Sequence, residues 1–439
     1  MWTPDLPLAL LTPYTATATT AIRAADGSAL PLAHSSTFET ADGAFTKATL
    51  IEANNAGSAV IPKAAINERG AVVAVWRQFD GTHHNAWSNR YGLGAGWREA
   101  TLIENENLGD AELPRVAIDA AGNAIAVWRQ NDGVRSNIMS NRLAGEAGWA
   151  AAELIETSSV DATQPDVTMS AGGSAIAVWA QGGIRANHFE VATGWSGPQQ
   201  IASDGSTPRV AVDSAGNALA IWTQSDGVWA GRFVAGAGWT SPEQLDETAG
   251  TDLHIMMDGN GNGRAAWVDD GAPYLLKTRV FSVDIGWGPL DTLGGNTSQM
   301  AMTVGAAGHA AVAHSTFSDT GPILVQQYVP GGDWSSEEEI SVPNSHEEKL
   351  GPMLALDRQG NALAFWHQFP VGGQTPSQVF SRRFVAGQGW GEAAQLRSVA
   401  GGDDRAHRPF IVTNTRGIAV ALWLEHDGTR DNVFARIFR

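Results

Sequence analysis

The chain has 439 residues and no Cys, and 46 acidic against 28 basic side chains give it a formal net charge of −18 at pH 7. The lack of Cys excludes a disulfide framework, a thiolate metal site and a cysteine nucleophile. The acidic balance opposes a nucleic-acid partner, since phosphate contacts need clustered Lys and Arg. No apolar run approaches the roughly 18 residues that a membrane span requires.

Fifteen of the 17 Trp residues of the chain fall into two repeated sets, and the other two, Trp87 and Trp229, each lie three residues before an Arg at a further repeat position. In the first set, a run of small and aliphatic residues precedes Trp76, Trp128, Trp179, Trp222, Trp267, Trp366 and Trp423. In the second set, a Gly or a turn residue precedes Trp97, Trp149, Trp195, Trp239, Trp287, Trp334 and Trp390, and Trp2 resembles an eighth member. Such self-similarity at a regular period indicates a repeat architecture, so one Trp of each set is expected in each unit.

Residues 206–246 illustrate one repeat unit. Two extended runs are joined by a tight turn at 214–217, and the second run ends near Trp222. Another turn at 225–227 leads to a third extended run, a Gly-rich connection and a short fourth strand. Four short strands joined by tight turns, recurring about every 48 residues, predict the blades of an all-β propeller. No stretch shows sustained helical periodicity, so almost no helix is expected.

The number of blades follows from the first extended run, which recurs at residues 17–23, 61–68, 114–119, 165–170, 208–213, 253–258, 300–305, 352–357 and 409–414. These nine runs predict a single propeller of nine blades over residues 1–439, and eight blades plus a displaced N-terminal segment is the alternative. The last unit, 408–439, provides three strands. Residues 1–10 are therefore predicted to add its outer strand and close the ring, with 11–407 forming the successive blades.

Polar residues recur at fixed places in the unit. A Gln follows the first-set Trp by two residues, and seven residues before the second-set Trp stand Arg90, Arg142, Arg232 and Arg383, with His188 and Gln327 in the same slot. A hydrogen-bond ladder between strands or blades is one interpretation. A ring of Arg offered to anionic or hydroxyl-rich ligands is the other. The first-set Trp residues are expected in the core between blades, whereas a second-set indole could be partly exposed.

Departures from the repeat supply the remaining candidate ligand-binding residues. His314 replaces a first-set Trp, His34 lies in a similar local sequence, and His83 and His84 lie at a hairpin turn. A further departure, at Asp258, Asn260, Asn262 and Asp269, matches the spacing of oxygen ligands in a calcium loop. An enlarged hairpin is the favoured interpretation there, Ca²⁺ the alternative, and no other cofactor is predicted. No catalytic motif is present, so we expect a protein without enzymatic activity, although the question stays open.

The repeated pattern P-x-V-A-x-D-x-x-G-N-A-x-A-x-W, followed by D-G and G-x-G-W, resembles the tandem repeats of bacterial secreted or surface propeller proteins. The unit is also loosely similar to propeller lectins, whose Trp-rich blades bind sugars between neighbours. This resemblance implies a propeller and a secreted or cell-surface location, although no signal peptide is visible. The Asp box of sialidases is not matched, because Asp213, Gly216 and Trp222 are spaced by three and six residues.

The leading functional prediction is a non-catalytic protein that recognises carbohydrate at repeated sites between blades. A protein-interaction scaffold is the first alternative. A polysaccharide hydrolase or lyase is the second, and it requires a deep central pocket with clustered His, Tyr or carboxylate side chains. The partner is thus a glycan or another protein, and the sequence leaves the ligand and the oligomeric state open.

Overall fold

The protein is an eight-bladed β-propeller. The computed structural model describes residues 4–53, 56–104, 109–305, 307–318, 320–343, 347–370, 377–397 and 406–439. Within them, eight antiparallel sheets form a ring in which the first strand of each blade packs beside the first strand of the next, and blade 8 packs against blade 1. The predicted all-β propeller is confirmed, and the blade number is the alternative of eight rather than nine.

The blades have a common construction from the channel outwards, with an outer strand that is often split in two. Blade 1 consists of Ala59–Ile66, Val72–Phe79, His84–Gly92, Gly96–Trp97 and Thr101–Leu102, and blade 2 of Ala111–Ile118, Ala124–Asn131, Ser136–Leu143 and Glu153–Leu154. Blade 3 consists of Thr163–Met169, Ala175–Ala180, Ile184–Glu190, Gly194–Trp195 and Gln199–Ala202. Blade 4 consists of Ser206–Val212, Ala218–Gln224, Gly227–Val234, Gly238–Trp239 and Glu243–Asp246.

The strands of blades 5 to 8 follow the same order. Blade 5 consists of Gly250–Met257, Gly263–Asp269, Leu276–Ser282 and Gly286–Gly294, and blade 6 of Thr297–Val304, Ala310–Thr316, Ile323–Tyr328 and Glu338–Glu339. Blade 7 consists of Glu347–Leu356, Ala362–Pro370, Gln378–Val385, Gly389–Trp390 and Ala394–Leu396. Blade 8 consists of Ala406–Thr413, Ala419–His426, Asp431–Phe438 and Thr49–Leu50. The helical content of the described residues is one 3₁₀ turn, Gly145–Ala147. None of the described residues forms a helix long and apolar enough to span a membrane.

The first predicted unit does not form a blade. Its residues form a separate two-stranded sheet, Pro13–Ala18 with His34–Glu39, whose side chains are mostly exposed. The physical reason is that the large side chains of these Thr-, Ser- and Ala-rich strands, Tyr14 and Phe38, stack on each other and stay partly exposed, whereas each true blade buries large apolar residues against its neighbour. The alternating residue pattern of this segment does form strands, but the segment does not pack into the core between blades.

The ring is closed by a different segment from the one predicted. Thr49–Leu50 pairs with Asp431–Phe438, and Phe45 bridges to Phe438 in the position that a Gly-Trp pair takes elsewhere. Residues 4–10 form no strand, and the amide of Leu10 instead donates to the carbonyl of Arg416 in the first hairpin of blade 8. The prediction of a closing strand at 1–10 is therefore wrong for 4–10, and residues 1–3, including Trp2, lie outside the described residues.

The seven first-set Trp side chains are fully buried between blades. The indole N–H of Trp76, for example, donates to Gln78 Oε1 at 3.0 Å, and Trp128 and Trp179 bond Gln130 and Gln181 at 2.8 and 2.9 Å. Trp222 of blade 4 packs in one cluster with Ala218 and Ala220 of its own strand and with blade 3. The core interpretation of this set is confirmed, and the repeated Gln satisfies the buried indole.

A buried acidic residue follows the outer strand in three successive blades. Glu52 accepts a hydrogen bond from Gln78 Nε2 at 3.0 Å, and Glu156 pairs with Arg135 NH1 at 3.0 Å. The third member, Glu104, is also buried, and burial raises the pKa of its carboxyl to about 8. Because the folded protein retains this proton where the unfolded chain has lost it, the stability that the group contributes falls as pH rises from about 4.5 to 8.

We expect Trp128→Ala to lower the free energy of unfolding by about 3–5 kcal/mol, since it opens a large cavity between blades and leaves Gln130 unpaired. Chemical denaturation followed by circular dichroism measures the loss. Trp149→Ala, at the half-buried second-set position of the same blade, is the matched control and should cost less. Equal losses would contradict the assignment of the first set as the principal core.

We expect Glu104→Gln to stabilise the protein by roughly 1–3 kcal/mol at pH 9 and by little at pH 5, because the neutral amide removes the cost of a buried carboxylate. Glu156→Gln is the control in the equivalent slot, and it should destabilise because it breaks the contact with Arg135. Thermal unfolding of both variants at the two pH values tests this. A gain for Glu104→Gln that did not grow with pH would contradict the raised pKa.

Candidate functional site in the grooves between blades

The repeated Arg of the third strand fills the groove between its own blade and the next. The guanidinium lies over an aromatic ring of the following blade at 5.5 Å for Arg142 on Phe189, 5.4 Å for Arg232 on Phe281 and 5.0 Å for Arg383 on Phe438. Between blades 5 and 6 the cation comes from the second strand instead, where Arg264 lies 4.3 Å from the ring of Tyr328. These cation–π contacts join neighbouring blades.

Arg90 belongs to the same series, but in the next blade the register position of the aromatic ring holds an aliphatic residue, Leu143. Its guanidinium donates to the carbonyl of Gly145 at 2.6 Å, and burial lowers its pKa. The four predicted Arg residues thus lie in four different grooves, and the structure does not bring them together. Their contacts agree with the interpretation of an inter-blade ladder.

The Arg slot holds the apolar residues Val280 in blade 5 and Ile437 in blade 8. In the other two blades without the Arg, it holds the polar residues His188 and Gln327. Both side chains are shorter than Arg, and both grooves contain a cavity. The cavity between blades 3 and 4 has a volume of about 300 Å³. The cavity between blades 6 and 7 has a volume of about 150 Å³ and is bordered by Gln327, Tyr328 and Phe384. A departure from the repeat therefore coincides with open space in each case.

We call the cavity between blades 3 and 4 the His188 groove; it is lined by His188, Glu190, Ser196, Gln199, Phe233 and Trp239 together with Gly and Ala residues. Its blade-4 wall is aromatic, with the rings of Phe233 and Trp239 at 5.6 Å and Trp239 half-buried. Its blade-3 wall is polar, with His188 Nε2 at 3.1 Å from Glu190 Oε1.

The ring of His188 also lies 4.9 Å from that of Phe233, so it continues the aromatic wall across the groove. Glu190, Ser196 and Gln199 lie at the exposed rim and leave hydrogen-bonding atoms towards solvent. The groove therefore offers one apolar face and several donors and acceptors within a single small cavity. This combination suits a compact ligand with an apolar face and a polar edge.

The predicted His residues are dispersed over the molecule. His34 is exposed in the separate two-stranded sheet, so its local likeness to His314 does not reflect a shared blade position. His314 is fully buried, its Nε2 lies 3.2 Å from Glu337 Oε1, and burial lowers its pKa. His83 and His84 both face Asp110 of the next blade, at 3.8 and 3.4 Å.

The candidate calcium loop is not formed. Asp258 and Asp269 lie at opposite ends of the second strand of blade 5, separated by about 20 Å at roughly 3.3 Å per residue. Asp258 accepts hydrogen bonds from the amides of Asn260 and Asn262 and so caps its own turn, as Asp213 does in blade 4. Asp269 pairs with Lys277 at 2.9 Å. Among the described residues, no three His, Asp or Glu side chains are grouped to hold a metal.

A third cavity, of about 820 Å³, lies in the central channel, where the hydrolase or lyase alternative requires a pocket, but the cationic side chains of its lining were not predicted. The first strands bordering it carry a bulge with a left-handed residue, as at Ile61 and Arg408, followed in most blades by Pro. The bulge directs the flanking side chains into the channel, among them Lys63 and Arg209. The sequence does contain the signal, a repeated Pro followed by a charged residue at the start of the first strand.

Comparison with known proteins finds similarity to solved structures at low sequence identity. No protein-family model and no curated protein sequence matches the chain. Among solved structures, a Dyadobacter fermentans protein of unknown function is 14% identical with a TM-score of 0.45, over 91% of this chain and 99% of that one. A leech intramolecular trans-sialidase is 10% identical (TM-score 0.42, covering 74% and 68%), and a lectin of Aleuria aurantia is 14% identical (0.39, covering 66% and 97%).

Proposed function

We propose that the protein binds carbohydrate without chemical conversion and that the His188 groove is its principal site. The observation that carries this proposal is the aromatic wall of Phe233 and Trp239 facing the polar pair His188 and Glu190, in a space that Arg142, Arg232 and Arg383 fill in their own grooves. A secreted or cell-surface location accompanies the proposal, since extracellular glycans are then accessible.

The chemistry of the groove matches that of a sugar ring. A pyranose has one face rich in C–H groups and an edge of hydroxyls. The half-buried indole of Trp239 would lie against the C–H face, which gains apolar contact without losing a hydrogen bond. The carboxylate of Glu190 and the amide of Gln199 would bond hydroxyls at the edge, and a charged acceptor makes the stronger bond.

Binding rather than hydrolysis is proposed because of the acid content of this groove. A glycosidase of the usual kind needs two carboxyl groups on either side of the scissile bond. Among the described residues that line the His188 groove, Glu190 is the one carboxylate. The smaller cavity between blades 6 and 7, at Gln327, Tyr328 and Phe384, would be a weaker second site, and two sites on one ring would raise the avidity for a polymeric glycan.

The test begins with a glycan array on the whole protein, followed by titration calorimetry with the sugars that bind. We expect Trp239→Ala to weaken binding roughly tenfold by removing the stacking surface. His188→Arg should abolish binding by restoring the repeated Arg and filling the groove, and its cation–π contact with Phe233 should keep the fold stable.

Trp287→Ala is the matched control, because Trp287 takes the same place in the groove that Arg232 fills. It should leave glycan affinity unchanged, and thermal unfolding of all three variants confirms that they are folded. The proposal would be overturned by silence across a diverse array, or by equal losses in Trp239→Ala and Trp287→Ala.

A further inference from the structure

The central channel concentrates positive charge inside an acidic protein. Its cavity is lined by residues from blades 1, 4, 5, 6, 7 and 8, and the cationic side chains of that lining are Lys63, Arg209 and Arg408. They reach the cavity from blades 1, 4 and 8, so they approach it from different sides. The net charge of the chain is −18, so a cluster of the opposite sign is unlike the protein as a whole.

The carboxylates near the cavity are engaged by other partners. Asp166 lies 3.7 Å from Arg115 Nε and also accepts the amide of Val210. Asp252 accepts the amide of Met300 at 2.6 Å and faces His254 Nε2 at 3.6 Å. Both acids therefore already have cationic or hydrogen-bonding neighbours.

The three cations of the lining have no carboxylate in direct contact, and Asp166 and Asp252 act on Lys63 only from farther away. Within the part of the chain that the structure describes, no carboxylate oxygen lies within 4.0 Å of Lys63, Arg209 or Arg408. The ammonium of Lys63 lies 4.6 Å over the ring of Phe410, and Arg209 donates to the carbonyl of Pro208 at 2.9 Å. Clustered cations walled in by protein repel one another more strongly than they would in water, so an anion among them would be stabilised.

The backbone of the first strands takes an unusual conformation at one repeated position. In six blades a non-glycine residue of the first strand takes the left-handed conformation, with φ between 50° and 55°, and these residues are Ile61, Leu113, Gln164, Thr207, Asp252 and Arg408. Such conformations are kept only where the surrounding structure enforces them. Two of the six, Asp252 and Arg408, are charged residues of the lining itself.

We propose that the central channel binds a small organic anion carrying two or three carboxylate or phosphate groups, with Lys63, Arg209 and Arg408 as its ligands. The volume of about 820 Å³ exceeds the need of a single inorganic ion. Apolar side chains such as Met353 and Phe410 share the lining and would contact a carbon skeleton. This site is separate from the His188 groove and does not depend on the proposed carbohydrate binding.

The titration of Lys63 gives the site a pH dependence. Burial, together with repulsion from Arg115 and Arg209, lowers the pKa of the Lys63 ammonium to about 7. A bound anion favours the charged form, so binding draws in a proton, and affinity falls as pH rises above 7. The other charged or titratable groups around the channel are Asp166, Asp252, His254, His367, His407 and Arg408.

Titration calorimetry with citrate and with an organic bisphosphate, 2,3-bisphosphoglycerate, at low and at physiological ionic strength, tests the proposal on the full chain. We expect at least one of them to bind at pH 6.5, and Lys63→Gln and Arg209→Gln each to weaken it about tenfold or more. Arg69→Gln is the control, because it makes the same charge change at an exposed turn outside the channel lining. Arg209→Lys, which keeps the charge, should retain most of the affinity, and thermal unfolding verifies each fold.

Between pH 6.5 and 8.5 the wild-type affinity should fall more than that of Lys63→Gln, whose side chain cannot titrate. The proposal would be overturned if neither anion bound, if Arg69→Gln weakened binding as much as the channel variants, or if the pH dependence were the same with and without Lys63. Because Trp239→Ala should leave anion binding intact, failure here is distinguishable from failure of the carbohydrate proposal.

Discussion

Each blade of the propeller must bury both of its faces against its neighbours, and the packing of a large indole over small residues is how this chain meets that constraint. Trp222, for example, shares a strand with Ala218 and Ala220 and packs with blade 3. The alternation of one large and two small residues lets consecutive sheets approach closely without voids. With no Cys in the chain, this packing and the pairing of Thr49–Leu50 with the last strand hold the ring together.

The parts of the fold that depend on local sequence could be predicted. Second strands ending in Trp, capped turns such as that at Asp213, and the Gly-Trp outer strands all follow from patterns within one unit. The blade number could not be obtained in the same way. Residues 17–23 have the alternating pattern of a strand, but none of their side chains is buried between blades. The closing strand did leave a signal, since Thr49-Leu50-Ile51-Glu52 repeats the sequence at Thr101 to Glu104.

The candidate sites are harder to predict because each is built from more than one repeat. His188 could be identified as a departure from the Arg series, but the aromatic wall opposite it comes from Phe233 and Trp239 of the next unit. The channel cluster joins Lys63, Arg209 and Arg408, which are far apart in sequence and adjacent only once the ring has closed. The amino-acid composition does not indicate this cationic cluster either, because the net charge of the chain is negative.

The pairing of Thr49–Leu50 with Asp431–Phe438 also has a consequence for the order in which the protein can form. The outer strand Thr49–Leu50 is synthesised before every other strand of the eight blades. It has no pairing partner until the chain extends through Asp431–Phe438. Meanwhile blade 1 has an uncovered apolar face, and joining ends so far apart carries a large loop-closure entropy. Long-range contacts of this kind slow folding.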